Sequence, residues 1–260
     1  MANPLKYSDE EIHSLLEKIF NGTITDRALP EDLYYAIADY LKKGLYEGFG
    51  GDLSDFEGEM LDNLLELRDN IYMFAGAKTF QFTKAAGELM FDEDGVLKAF
   101  SEYRDEATDL WGQYNEDWLE AEHITTIGQA QMANQWQDIE SKKDILPMLR
   151  FSTNGNPCPE CAPFEGLTAP VDDPIWDICT PLLHFRCMCI LEQHDEDALP
   201  STDEFIDNLP LQDIPETFRN NPGKTGEVFT KDHPYFDVAK GDKAFAKKNF
   251  GLDIPETDED

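Results

Sequence analysis

Positive charge is scarce in this chain: 21 Lys and Arg stand against 54 Asp and Glu, a formal net charge of −33 at pH 7. A field of that sign repels nucleic-acid phosphates and disfavours anionic membrane surfaces. No run of about 18 apolar residues occurs, so no membrane-spanning helix is expected. The first twenty residues, MANPLKYSDEEIHSLLEKIF, hold too many charges for the apolar segment of a secretory signal. The chain is therefore expected to be soluble and to reside in a cytoplasm. GxSxG, the Walker loop, GxGxxG and HExxH are all missing, which removes the commonest hydrolase, nucleotide and metalloprotease signatures. Cysteine is absent outside positions 158–189.

What is present describes a folding chain. The hydrophobic fraction of 41%, with 17 Phe, 9 Tyr and 4 Trp, is enough for a packed core and excludes a disordered polymer. The acidic residues are scattered, with one short cluster at Glu256, Asp258, Glu259 and Asp260. That distribution favours a solvated surface over an acidic DNA-mimic inhibitor or a face docking a basic partner.

The N-terminal part is helical by pattern. Ser8 and Glu11 form a capping box ahead of Ile12, Leu15, Leu16, Ile19 and Phe20, and Asn21-Gly22 stops that helix. A second helix is expected from Pro30 through Leu33, Ile37 and Leu41 toward Gly44. Met60, Leu64, Leu67, Ile71 and Phe74 form a third stripe, best assigned to the core. The segment Phe91-Asp92-Glu93-Asp94-Gly95 lacks the ligand ladder of a calcium loop and is expected to be a turn. Between Val96 and Lys143 there is no proline and only Gly112 and Gly128, which predicts one long helix or two stacked ones, ended by Pro147.

After Arg150 the texture changes to loops, with Met188-Cys189-Ile190-Leu191 as a short strand. All five cysteines fall here: Cys158-x2-Cys161, Cys179, then His184-x2-Cys187-x-Cys189. A Cys-x2-Cys turn sets two thiolates at the bite a tetrahedral zinc needs, and His184 with Cys187 offers a second close pair. Cys187 and Cys189 would share one strand face, so either can be the fourth ligand. The expected ligands are Cys158, Cys161, His184 and Cys187, with Cys189 in reserve and Cys179 a bystander. Reduced core thiols and disulfides are the competing assignments. Pro157-Cys158-Pro159-Glu160-Cys161 also matches half of the zinc-deaminase signature. Its other half, an upstream His-x-Glu, is missing at both His13 and His123.

At these residues the chain resembles phage head-morphogenesis (minor head) proteins of the Mu F-like and SPP1 gp7-like type. The resemblance rests on Cys158 and Cys161, Glu165-Gly166, the Val171-Asp172-Asp173-Pro174-Ile175-Trp176 loop and the His184-to-Cys189 element. Thr153 and the helix from Ile124 to Trp136 belong to it as well. It covers roughly residues 100–192. Phe185, Arg186 and Met188 stand where the family has Pro, Asn and Arg, so no role of that Arg carries over.

The resemblance implies a minor capsid-associated assembly component of a tailed phage or prophage, not an enzyme. It would contact the portal protein and/or the major capsid protein, without direct nucleic-acid or membrane binding. It would reside in the virion head or procapsid and, before assembly, in the host cytoplasm. The expected architecture is α+β, mainly α: an N-terminal helical region at 1–95, a Cys/His loop-and-strand module at 96–192 and an irregular C-terminal arm at 193–260. The arm carries short helices near Phe205 and Phe245. A structural zinc is the expected cofactor. The rival readings are a metal-dependent hydrolase or transferase using the Cys/His site and the DNA-mimic inhibitor.

Overall fold

The computed structural model describes residues 4–155 and 157–256. Asp258, Glu259 and Asp260 of the terminal acidic cluster lie outside the described residues. The fold is α+β and mainly α, with helices ahead of a three-stranded antiparallel sheet. Among the described residues, no helix is long and apolar enough to cross a membrane.

Helix α1, Asp9–Phe20, begins at the expected capping box: the Ser8 and Glu11 side chains each bond the other's backbone amide. Ile12, Leu15, Leu16 and Ile19 are buried along one face. Helix α2, Glu31–Phe49, runs past Gly44, which the sequence assigned as its end. The reason is close packing. A Cβ on Gly44 would meet the His123 ring at 2.9 Å, and one on Gly48 would meet the Ile127 carbonyl oxygen at 2.2 Å. These glycines let backbones approach.

Helix α3, Gly58–Glu88, buries Leu64, Leu67, Ile71 and Phe74 and leaves Met60 half-buried. The turn at 91–95 is built on Asp92, whose carboxylate accepts from the backbone amides of Asp94 and Val96. Helix α4, Phe100–Gly112, continues through a π-helical segment, Gln113–Trp118, into α5, Leu119–Lys142. The expected helical region is thus one run with a π-helical middle, and neither Gly112 nor Gly128 breaks it.

Strands β1, Met148–Ser152, β2, Thr168–Pro170, and β3, Ile190–His194, are ordered β2-β1-β3. Leu149 pairs with Ala169 on one side and Gln193 on the other. The expected strand at 188–191 therefore begins two residues later, and Cys187 and Cys189 precede it.

Two compact units emerge, neither of them contiguous in sequence. Unit 1 comprises residues 1–42, 71–122 and 234–260, and unit 2 comprises 43–70 and 123–233. In unit 1, Phe80 stacks on Phe250 at 4.7 Å between centroids. The Gln81 side chain donates to the carbonyls of Tyr235 and Asp237, and Tyr34 Oη donates to the Asp253 carbonyl.

In unit 2, Trp136, Leu149, Phe151, Phe164, Leu167 and Trp176 form the centre of one apolar cluster. The Asn70 side chain bonds the backbone of Val228 and Phe229 three times, at 2.9 Å each. The C-terminal stretch, expected as an extended arm, is irregular but closely bound. It includes short helices α6, Asp203–Asp207, and α8, Lys243–Ala246, around Phe205 and Phe245, with α7, Pro222–Thr225, between them.

Candidate metal centre

The two Cys/His elements fold as two tight turns within unit 2. In the first, the Cys158 carbonyl accepts from the amides of Cys161 and Ala162, at 3.2 and 2.9 Å. A 3-10 turn, Ala162–Phe164, follows, and its buried Phe164 packs on Phe151 in the core. In the second, the Cys187 amide donates to the His184 carbonyl at 3.2 Å. That turn requires Arg186 at φ 61, and buried Leu182 and Leu183 anchor it on its N-terminal side.

The turns present their side chains to one another. Cys158 Sγ lies 3.1 Å from His184 Nε2, and Cys161 Sγ lies 3.6 Å from Cys187 Sγ. His184 Nδ1 is 2.8 Å from the Phe185 carbonyl. A carbonyl can only accept, so Nδ1 carries the proton and Nε2 directs its lone pair toward the cysteines. The ligand atoms of Cys158, Cys161 and His184 lie within 4.8 Å of one another, as do those of Cys161, Cys187 and Cys189. Cys161 belongs to both groups. The expected site residues are therefore gathered in space, and these groups could hold a metal ion such as zinc. The sulfur–sulfur contact is near the edge of about 3.8 Å that a tetrahedron with 2.3 Å Zn–S bonds would have.

Hydrogen bonds from Cys161 and then Cys189 hold the Cys187 pKa down. The bond to Cys187 pushes Cys161 up in turn. Cys179 stands apart from both groups; it is fully buried, and burial pushes its thiol up to about 12. The carboxylate beside the centre is Glu160. Its own backbone amide, then the Cys158 thiol, hold it below the usual carboxylate range. It stays ionised at neutral pH, unlike a general acid tuned toward neutrality.

The remaining residues of the resemblance support the module. Thr153 donates to Glu165 through its backbone amide at 2.7 Å and its hydroxyl at 2.5 Å, lowering the carboxyl pKa. Gly166, at φ +80, donates to the Phe151 carbonyl beside β1. Asp173 caps the turn Pro174–Asp177 by accepting from the Ile175 amide, and the buried Trp176 indole donates to the Pro170 carbonyl at 2.8 Å. Together these contacts fix the loop that leads from β2 toward the second turn.

One polar cluster in unit 1 escaped the sequence reading. Lys78 is fully buried, with Nζ 2.9 Å from Glu122 Oε1 and 3.0 Å from Tyr235 Oη. A signal was present: the stripe Leu64, Leu67, Ile71 and Phe74 continues by four residues onto Lys78, a charge on an apolar face.

Comparison with protein-family models, with curated proteins and with solved structures gave no match.

Proposed function

We propose that this chain is a minor head protein of a tailed phage or prophage. It acts in head morphogenesis through protein contacts, at the portal vertex, and catalyses no reaction. The observation that supports this most is the meeting of the two Cys/His turns, with Cys158 against His184 and Cys161 against Cys187. The same residues in the same order carry the resemblance to head-morphogenesis proteins. The Thr153–Glu165 bond adds support, because it joins two further positions of that resemblance.

A structural zinc held by Cys158, Cys161, His184 and Cys187 is part of the reading. When bound, it would tie the turn before β2 to the turn before β3 and add to folding stability. Cys161 and Cys187 are buried, and the His184 tautomer is set by the Phe185 carbonyl. A metal-dependent hydrolase or transferase is the second reading, favoured by Glu160 lying next to Cys158.

Quantitative mass spectrometry of particles purified after prophage induction, with host lysate alongside, tests the assembly role. A few copies per particle, enriched in procapsids together with the portal protein, is the expected result. Absence from both particles and procapsids, with all the chain free in the lysate, would remove it.

A further inference from the structure

A groove of about 590 Å³ lies beside the Cys/His turns, entirely within unit 2. Its floor is apolar, formed by Phe164, Leu183 and Ile214, which are buried yet line it. Prolines stiffen its walls, among them Pro159 in the first turn and Pro215 in the C-terminal stretch. A proline ring fixes φ, so such walls lose little conformational freedom when a ligand arrives.

Two carboxylates, Glu160 and Asp213, line the groove, and no Lys or Arg does. Following His184 in sequence, Phe185 is 40% exposed and packs edge-on against Phe218. A preformed groove with an apolar floor and a few polar groups at its edge suits a binding surface.

Charge selects the occupant. A neutral or acidic apolar segment would cover the charges of Glu160 and Asp213 without an opposite charge beside them, which is unfavourable. A second copy of this chain would bring its own −33 against the first. A cationic segment pairs the carboxylates and is drawn in by the same field.

We infer that this groove docks an extended, cationic and apolar segment of a protein partner. Leucine-type side chains of that segment fill the floor, and its Arg or Lys side chains pair Glu160 and Asp213. This goes beyond the assembly reading and stands without it, because it names a surface and a partner chemistry, not a particle.

The test uses the full chain as purified, with a fluorescein-labelled peptide of alternating leucine and arginine as probe. A leucine–glutamate peptide is the control, and fluorescence anisotropy is read at about physiological ionic strength. The leucine–arginine peptide is expected to bind saturably and the leucine–glutamate peptide not at all. Asp213→Lys, at an exposed position, should weaken binding about tenfold or more. Asp197→Lys makes the same change in net charge at another exposed position and should alter binding by less than about twofold. Pro215→Lys, on the exposed wall, should repeat the Asp213→Lys effect.

Equal weakening by Asp213→Lys and Asp197→Lys would overturn the proposal, since attraction would then be diffuse. Failure of the leucine–arginine peptide to saturate would overturn it too. So would self-association of the chain that Asp213→Lys abolishes, which would make a second copy the occupant.

Discussion

Burial of Lys78 beside Glu122 takes two charges out of water inside unit 1. Burial pushes the Lys78 pKa down and the Glu122 pKa up, each against the pull of its partner. The Tyr235 ring lies 4.8 Å and the Tyr114 ring 5.6 Å from Nζ, and these contacts offset part of the desolvation. Removing one member leaves the other a buried charge without its counter-charge. Lys78→Met should therefore destabilise the protein by about 3–5 kcal/mol in urea titration. Lys78→Met combined with Glu122→Leu should recover most of that loss, because no buried charge is left.

The Thr153–Glu165 pair predicts a pH dependence. Glu165 has a folded-state pKa below its unfolded value, so its contribution is full above the ordinary carboxylate range. That contribution is lost as pH falls through the depressed value. Thr153→Val should lower the urea midpoint at neutral pH, and the difference from the parent should vanish on acidification. At the residue scale the Cys and His positions were legible because each pair lies within one tight turn, where spacing alone limits geometry. Lys78 was not, because a lysine on an apolar stripe announces burial only once its partner, 44 residues away in sequence, is known.

At the scale of elements, glycine separates what pattern can and cannot foresee. Gly44, Gly48 and Gly128 all sit inside helices and look like interruptions in the sequence. In the fold a Cβ on Gly48 would strike the Ile127 carbonyl, and one on Gly128 would meet the Leu182 side chain at 2.8 Å. Gly112 has open space around it and ordinary helical backbone at φ −56. Gly112→Ala should raise stability by up to about 1 kcal/mol through helix propensity. Gly48→Ala should lower stability despite the same gain, because a backbone oxygen cannot give way. Thermal denaturation of the two variants side by side checks the contrast.

Helix existence was legible because the apolar stripes repeat over several turns. The end of α2 was not, because close approach and chain termination use the same residue. The β3 boundary moved for a related reason. The apolar run Met188 to Leu191 mixes two roles, with Cys189 in one of the two groups that could hold a metal and Ile190 beginning the strand.

Across the whole molecule, negative charge sets the balance. At −33, like charges over the surface oppose compaction, and added salt screens them. The melting temperature should rise between low salt and about 0.5 M sodium chloride, and a fall would show that specific ion pairs outweigh the general repulsion. The irregular C-terminal stretch was read as an arm because it has many prolines and short elements. Its anchoring depends on side chains such as Asn70 and Gln81 that bond backbone far along the chain, and no local pattern reports such contacts.

We propose that the Cys/His turns hold a closed structural zinc in a protein that catalyses no reaction. X-ray absorption at the zinc edge, on full-length protein purified with its metal, tests that directly, with elemental analysis for stoichiometry. The account predicts one zinc per chain with three sulfur ligands and one imidazole nitrogen, lost together with several kcal/mol of stability in Cys161→Ser. A chain without zinc, or a zinc with an oxygen ligand in an open position beside Glu160, would contradict it.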